Sequence, residues 1–308
     1  MKNIFKWKKK GLLVEPNIPG FTHASHPTII HIKDDTFVIA FSCRDSKQRS
    51  NIFLSYAEVS DWQISIKGNP KLVLSPGAPG CFDCDGLLSC CIIKNESKYY
   101  IYYSGWQNLP EGLWICDTGR AIIDVEKLTA QREFSGPVLA RDKNNPLFAA
   151  ATSIYITENG VWHTWYNSGI RWDKTKDGWK PCYGIHHAQS KDGIDWICDP
   201  GLIIPLADKY EHSFGRPCVV YWDNLFYMWF AHRGTKNYST YRIGFASSQD
   251  GIKWNRNDAL SGIDISKEGW DSESVCYPFV FEHKSKRYIL YNGNNYGKTG
   301  FGYAVLEE

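Results

Sequence analysis

The chain has 308 residues, a formal net charge of +2 and an aromatic content of 15%. Its longest basic run is the three lysines at 8–10, which argues against a nucleic-acid partner because such proteins neutralise phosphates with clustered Lys and Arg. It also lacks a run of about 18 apolar residues, so no membrane-spanning helix is expected. Many Trp, Tyr and Phe beside only 2 Met favour strands over helices.

The first sixteen residues contain lysines but no apolar segment of the kind that a secretory signal needs. We therefore expect a cytoplasmic protein whose 10 cysteines stay reduced and pack as small apolar side chains. Cys81 and Cys84 have a CxxC spacing, but no second such pair accompanies them. This spacing predicts packing, so neither a metal nor a cofactor is expected.

One unit recurs five times along the chain: an apolar strand, a polar turn and an aromatic-rich strand. The first strands begin near residues 27, 88, 152, 217 and 278, so successive units are 61, 64, 65 and 61 residues apart. This spacing suits a four-stranded antiparallel blade with its loops, and five near-equal units imply a ring. The predicted fold is all-β, a single five-bladed β-propeller of four-stranded antiparallel blades over residues 1–308.

The third strand of two units leads into the same turn. Residues 183–196 and 241–254 both contain a period-two strand, then Ser-x-Asp-Gly and a tryptophan. Asp192 and Asp250 are predicted to cap these turns, because Asp bonds its own main chain and the following Gly supplies a positive φ. The fifth unit lacks this turn, so we expect a strand from the N-terminal segment to complete its sheet and cover its edge.

The Ala-x-Ser-x-Asp-Gly-Ile-x-Trp turn, the Tyr-x-Met-Trp-Phe strand and the number of units together resemble the five-bladed propeller glycoside hydrolases. This superfamily contains the arabinanases and xylosidases of family 43, the invertases of family 32 and the mannoside phosphorylases of family 130. The chain is most similar to members associated with surface-polysaccharide gene clusters. That closer match is carried by Phe82, Asp83, Gly86, residues 102–106, Glu211, Arg216, Pro217, residues 269–273 and residues 291–294.

The resemblance implies that the first strand of each blade lines a central channel, with a sugar-binding pocket at its mouth. Residues just before these strands, and at the ends of the second strands, then face the pocket. The expected catalytic residues are Asp83 as base or nucleophile, Glu211 or Glu273 as acid, and His23 as a base. The expected substrate-binding residues are Arg44, Asp45, Asp85, Trp106, Arg216, His232, Arg233 and Asp271. A structural alternative has Asp85 and Asp271 capping turns and Arg44 pairing with Asp45.

Blade one departs from the superfamily pattern. The characterised hydrolases carry a carboxylate at its start, where residues 21–27 of this chain contain His23 and His26 but no acid. Either a histidine serves as the base, or Asp45 takes that role, or the chain has lost the reaction. The histidines at 23, 26, 186, 212 and 232 have no short ligand spacing, so a metal site is not expected among them.

These residues predict a glycoside hydrolase-like enzyme that cleaves a small glycoside by carboxylate acid/base catalysis and serves polysaccharide biosynthesis. Arg44, Arg216 and Arg233 favour an anionic or nucleotide-linked sugar, because guanidinium binds carboxylate and phosphate bidentately. The alternatives are a phosphorylase or glycosyl-transfer enzyme on the same fold, and a non-catalytic carbohydrate-binding propeller. The expected partner is a small carbohydrate or sugar nucleotide, with no nucleic acid and no membrane.

Overall fold

A computed structural model describes residues 5–307. This part of the chain contains twenty strands, two short 3-10 turns at Pro110–Gly112 and Asp258–Leu260, and one four-residue helix, α1 (Asn294–Gly297). The strands are β1 (Trp7–Val14), β2 (Thr22–Lys33), β3 (Thr36–Arg44), β4 (Ser50–Ser60), β5 (Gln63–Leu74), β6 (Gly86–Asn95), β7 (Lys98–Asn108), β8 (Trp114–Asp124), β9 (Thr129–Arg132), β10 (Ala149–Ile156), β11 (Trp162–Thr175), β12 (Gly178–Ser190), β13 (Ile197–Cys198), β14 (Ser213–Trp222), β15 (Leu225–Arg233), β16 (Arg242–Ser248), β17 (Asn255–Arg256), β18 (Cys276–His283), β19 (Lys286–Asn292) and β20 (Phe301–Leu306).

Antiparallel pairing divides these strands into sets of four. The sets are β2–β5, β6–β9, β10–β13, β14–β17, and β18–β20 together with β1. Single parallel pairs, Ala149 with Asp117 and Tyr183 with Ser213, link the second, third and fourth sets. The all-β propeller class is confirmed, and we interpret each set as one blade.

The N-terminal strand completes the last set. β1 pairs antiparallel with β20, from Trp7 opposite Leu306 to Val14 opposite Phe301. The Lys9 ammonium lies 2.7 Å from the Asp271 carboxylate in a partly buried ion pair. The expectation that this segment supplies a strand to the fifth unit is confirmed, and the strand covers a sheet edge that would otherwise be open.

The hydrophobic core lies between neighbouring sets. Separate clusters join the first and second sets, the second and third, the third and fourth, and the fourth and fifth. A further cluster joins the fifth set to the first, with Tyr288, Leu290 and Phe301 packed against Phe41 and Phe53. Because the last set also packs on the first, the sheets close into a ring in which large aromatic side chains fill the wedges between sheets.

The two Ser-x-Asp-Gly turns form as predicted. The carboxylates of Asp192 and Asp250 accept hydrogen bonds from the main chain two residues later, at 2.8 and 2.9 Å. Gly193 and Gly251 follow with a φ of +73°, a region that Gly enters without the steric cost of a Cβ. All ten cysteines are free thiols, and residues 5–307 include no helix long and apolar enough to cross a membrane.

Candidate functional site

Each inner strand carries a β-bulge at the same place. The pairing of the first and second strands shifts around residues 26, 90, 151, 216 and 277. His26, Ala151, Arg216 and Tyr277 have a positive φ, between 34° and 56°. A bulge re-aims the side chain at an otherwise regular strand, and these four residues all line the same cavity.

The cavity has a volume of about 500 Å³ and receives residues from all five sets. Its charged side chains are Arg44, Lys47, Arg49, Arg216 and Arg233 on the positive side and Asp85 on the negative side. Arg49 is neutralised locally by Asp45, at 3.0 Å. The remaining four cations face one carboxylate, so the cavity attracts an anion.

Arg216 lies at the centre of the ring and is only 1% exposed. Its guanidinium donates hydrogen bonds to the carbonyls of Pro27 at 2.6 Å, Cys90 at 2.7 Å and Tyr277 at 3.3 Å. These carbonyls belong to the first, second and fifth sets, so one side chain ties three inner strands together. Because its partners are neutral, its positive charge remains available to the cavity.

A wall of tyrosines surrounds Arg233. The Arg233 guanidinium lies 4.6 Å from the centre of the Tyr241 ring and donates to the Tyr296 hydroxyl at 2.6 Å. The hydroxyls of Tyr183 and Tyr241 are 2.8 Å apart. These contacts fix the guanidinium without a carboxylate, which leaves it able to bind an anionic ligand.

Aromatic rings of the second and third sets form another part of the lining. Trp106 stacks on Trp114 with ring centres 4.2 Å apart, and Trp114 lies 4.8 Å from Phe148. All three line the cavity. An apolar surface beside cations suits a ligand with one hydrophobic face and one charged group, as a sugar derivative has. Trp106 is thus placed where the sequence predicts it.

Of the two aspartates predicted around residue 84, Asp85 lines the cavity and Asp83 does not. Asp85 is partly buried, and its carboxylate accepts a hydrogen bond from the Asn108 main chain at 2.8 Å. The Asp83 carboxylate is 1% exposed and lies 2.7 Å from the Arg132 guanidinium. This geometry favours a structural role for Asp83, whose catalytic role stays a prediction.

Glu211 and His232 belong to a buried network away from the cavity. The Glu211 carboxylate lies 2.7 Å from Arg256 and 2.9 Å from His232 Nδ1. Burial alone raises the pKa of Glu211, but the hydrogen bonds from Arg256 and His232 outweigh it and lower the pKa to about 2. A carboxyl group with that pKa has no proton to donate at neutral pH, so the geometry does not favour the predicted acid role.

Three further predicted residues, Asp45, Asp271 and Glu273, also lie outside the cavity lining. Glu273 is exposed, and Asp271 is buried against Lys9 and the Tyr291 hydroxyl. Asp45 pairs with Arg49 and not with Arg44, which corrects the alternative of an Arg44–Asp45 ion pair.

His23 lies 3.0 Å from the Thr22 hydroxyl and is absent from the cavity lining. Burial, then the charges of Arg44 and Lys298, lower the pKa of His23 to about 4. It is therefore a weak base at neutral pH. The sequence-predicted residues that the structure brings together are Arg44, Asp85, Trp106, Arg216 and Arg233. Within residues 5–307 no three His, Cys, Asp or Glu side chains form a potential metal site.

No family model matches the chain. Two proteins of Mycobacterium tuberculosis do: the uncharacterized protein MT1551 of strain CDC 1551 / Oshkosh and the uncharacterized protein Rv1502 of strain ATCC 25618 / H37Rv. Each is 34% identical over 306 residues, which is 98% of this chain and 99% of the relative. The chain belongs to their family.

Solved structures share the fold of this family member at low sequence identity. A protein described as a glycoside hydrolase superposes with a TM-score of 0.75 at 17% identity, over 97% of this chain and 90% of its own. Another structure is described with the family 130 mannoside phosphorylases, which contain glycoside hydrolases that target β-1,2 mannosidic linkages in Candida mannan. It superposes with a TM-score of 0.70 at 13% identity, over 99% of this chain and 94% of its own. A thermostable family-43 glycoside hydrolase gives 0.63 at 16% identity, over 95% and 91%. The predicted resemblance to the propeller glycoside hydrolases is confirmed for the fold.

Several lining residues were not predicted from the sequence as part of the site: Lys47, Arg49, Trp114, Asn167, Tyr183, Tyr241, Tyr277 and Tyr296. One signal does mark part of the lining. His26, Arg216 and Tyr277 each directly precede a proline in an inner strand, and proline inside a strand indicates a bulge or an edge. The residue before such a proline is therefore a candidate to face the channel.

Proposed function

We propose that this protein is a carbohydrate-active enzyme that binds an anionic sugar in the central cavity. It breaks a glycosidic bond and transfers the glycosyl group to an acceptor. One observation carries the proposal: the cavity lining contains five cationic side chains and the single carboxylate of Asp85. Its aromatic surface at Trp106 suits the apolar face of a sugar ring. The shared fold supports the choice of reaction class but does not by itself assign it.

In the proposed reaction Asp85 passes the proton of hydrogen phosphate to the oxygen that leaves the anomeric carbon. Hydrolysis by the usual route needs a second carboxyl group as base or nucleophile, and Asp85 has no such partner in the cavity lining. Inorganic phosphate brings its own nucleophilic oxygen, which bonds to the anomeric carbon as the glycosidic bond breaks. Arg44 and Arg233 are the groups that would hold it. The charge pattern therefore favours transfer to phosphate over hydrolysis.

The test is product analysis with aryl glycosides of hexoses, pentoses and hexuronic acids, each with and without millimolar phosphate. We expect sugar 1-phosphates as products in the presence of phosphate. Asp85→Asn should reduce turnover by about 100-fold or more, because it removes the proton donor. Glu158→Gln, a substitution at an exposed turn, is the matched control and should keep the wild-type rate.

Two outcomes would contradict parts of this proposal. Release of free sugar at a rate independent of phosphate would establish hydrolysis instead. An equal loss in Glu273→Gln, with Asp85→Asn unaffected, would return the acid role to Glu273.

A non-catalytic carbohydrate-binding protein is the second candidate. It is favoured by the position of Asp83, Glu211 and Glu273, none of which lines the cavity. Sugar binding by calorimetry, with no product from any glycoside after long incubation, would support this candidate over the enzyme.

A further inference from the structure

Three buried polar atoms on cavity-lining residues have no hydrogen-bond partner within residues 5–307: His26 Nδ1, Asn167 Oδ1 and Arg233 Nε. The first two are on uncharged side chains, and His26 and Asn167 are 8% and 4% exposed. A buried polar atom without a partner destabilises the fold, and folded proteins keep few of them. Three such atoms at one cavity indicate groups that a ligand satisfies.

The His26 ring is held rigidly in place. Its main-chain N–H donates to Asn292 Oδ1 at 2.8 Å, which fixes the residue in its left-handed conformation, with φ of 54°. The imidazole stacks on the Tyr277 ring with centres 3.9 Å apart and planes 23° apart. Position and plane are thus set before any ligand arrives, which lowers the entropy lost on binding.

The His26 ring is also uncharged. Burial, then the charges of Arg216 and Arg44, hold the pKa of His26 well below its ordinary value of 6.5. In a neutral imidazole each nitrogen is either a donor or an acceptor, depending on the tautomer. A hydroxyl group both donates and accepts, so it satisfies Nδ1 in either tautomer.

Asn167 presents an acceptor. Its amide nitrogen donates to the Phe214 carbonyl, so Oδ1 is the amide atom left without a partner. An amide oxygen accepts hydrogen bonds and cannot donate them. The matching ligand group is a hydroxyl or an N–H, and an anionic oxygen would be repelled.

His26 connects to the anion-binding part of the cavity through tyrosine rings. His26 stacks on Tyr277, Tyr277 lies 5.7 Å from Tyr241, and Tyr241 lies 4.6 Å from the Arg233 guanidinium. Arg233 Nε is itself buried and without a partner. The imidazole that would bind a hydroxyl group and the guanidinium that would bind an anion therefore lie on the same side of the cavity, joined by two tyrosine rings.

We propose that His26 and Asn167 are specificity-determining residues that bind hydroxyl groups of the ring of a sugar 1-phosphate, whose phosphate lies on Arg233 and Arg44. This inference rests on the proposed function, because it assumes an anionic sugar in the cavity, and it goes further by assigning the residues that recognise the ring. A cyclic anion of the same size without hydroxyls would leave His26 Nδ1 and Asn167 Oδ1 without partners and would bind more weakly.

Matched ligand pairs test the assignment by calorimetry on the full chain. Glucose, galactose and mannose 1-phosphates are compared with cyclohexyl phosphate, and glucuronate and galacturonate with cyclohexanecarboxylate. We expect wild-type protein to bind at least one sugar about tenfold or more tightly than its hydroxyl-free partner, since one hydrogen bond to a buried group is worth about that factor.

The His26→Phe variant keeps a ring to stack on Tyr277 but loses Nδ1. We expect the preference for the sugar to fall to about onefold to threefold, while the affinity for cyclohexyl phosphate and the melting temperature stay at wild-type values. A purely structural role for His26 would change the melting temperature instead. Asn167→Ser, which keeps a small polar side chain, is the second variant and should reduce the same preference. It tests the assignment independently in case His26→Phe does not fold.

The outcomes separate this inference from the proposed function. Equal binding of sugars and hydroxyl-free anions by wild-type protein, or a sugar preference that persists in the folded variants, overturns the inference alone. If neither sugars nor hydroxyl-free anions bind, the anionic-sugar proposal and this inference both fail.

Discussion

At the scale of single residues, the Glu211 network shows how a buried charge is kept ionised. Arg256 contacts both Glu211 and Asp258, at 2.7 and 2.8 Å, and His232 Nδ1 lies 2.9 Å from Glu211 Oε1. Ionised groups are costly to bury unless each is paired and hydrogen-bonded. The network meets this condition, and it ties the start of β14 to β15 and β17.

Glu211→Gln should destabilise the protein by roughly 3 kcal/mol at neutral pH, because it leaves Arg256 with an incomplete set of partners. The folded pKa of Glu211, about 2, is below its ordinary value of 4.5, so its contribution to stability is present above pH 4.5 and is lost as the pH falls toward 2. Urea unfolding of the wild type and of Glu211→Gln at several pH values should show that the difference in their free energies of unfolding shrinks as the medium becomes acidic. A constant difference across this range would count against the ion network.

At the scale of elements, aromatic side chains of the second and third sets each bind the Asp-Gly turn of the set that follows. The Tyr102 hydroxyl donates to the Gly193 carbonyl and the Trp165 indole to the Gly251 carbonyl, both at 2.7 Å. Each donor belongs to one set and each acceptor to the Asp-Gly turn of the following set. The turn predicted from local sequence thus has a second task, which is to position the neighbouring sheet.

Strand β1 pairs with β20 and also forms an ion pair between Lys9 and the buried Asp271. Lys9→Met should destabilise the protein by about 2 kcal/mol, since it leaves the buried Asp271 carboxylate with only a neutral donor. Lys8→Met, at the neighbouring exposed position, is the matched control and should change stability by less than about 0.5 kcal/mol. The comparison uses urea midpoints. Equal effects of the two substitutions would argue that strand pairing alone seats β1.

At the scale of the whole molecule, the ring concentrates positive charge at its centre although the chain as a whole has a net charge of only +2. Arg44 comes from the first set, and Arg216 and Arg233 come from the fourth. Like charges held close together oppose folding, and a bound anion relieves that repulsion. The stability of the whole protein should therefore respond to anions.

Inorganic phosphate should raise the melting temperature relative to chloride at equal ionic strength. At ten times its dissociation constant, phosphate adds about 1.4 kcal/mol, which corresponds to roughly 2–4 °C. The double substitution Arg44→Gln and Arg233→Gln should abolish the shift, whereas Lys94→Gln at an exposed position should not. A shift that survives the double substitution would place the anion elsewhere.

Much of the fold follows from local sequence. Period-two strands, Asp-Gly turns and a repeat of about sixty residues are readable one unit at a time. The inner strands begin at residues 22, 86, 149, 213 and 276, two to five residues before the predicted starts. Even the closing strand was predictable, because a fifth unit with a missing strand leaves an edge that needs a partner.

The candidate site was only partly predictable, for a geometric reason. Asp83 and Asp85 are two residues apart, yet Asp83 pairs with Arg132 and Asp85 reaches the cavity. Outside a regular strand, spacing along the chain does not fix the direction of a side chain. His26 and Tyr277 reach the lining through bulges, which depend on backbone geometry more than on residue type.

The repeat, the turns, the closing strand and the likeness to propeller glycoside hydrolases follow from the amino-acid sequence alone. Each of them depends on neighbouring residues or on the nearly constant length of the repeated unit. Only the tertiary structure decided which charges share the cavity. Arg44, Asp85 and the pair Arg216 and Arg233 come from three separate parts of the chain and meet because the sets of strands pack into a ring. Glu211 and Asp271 are engaged by Arg256 and Lys9 instead, partners that sequence distance gives no means of choosing.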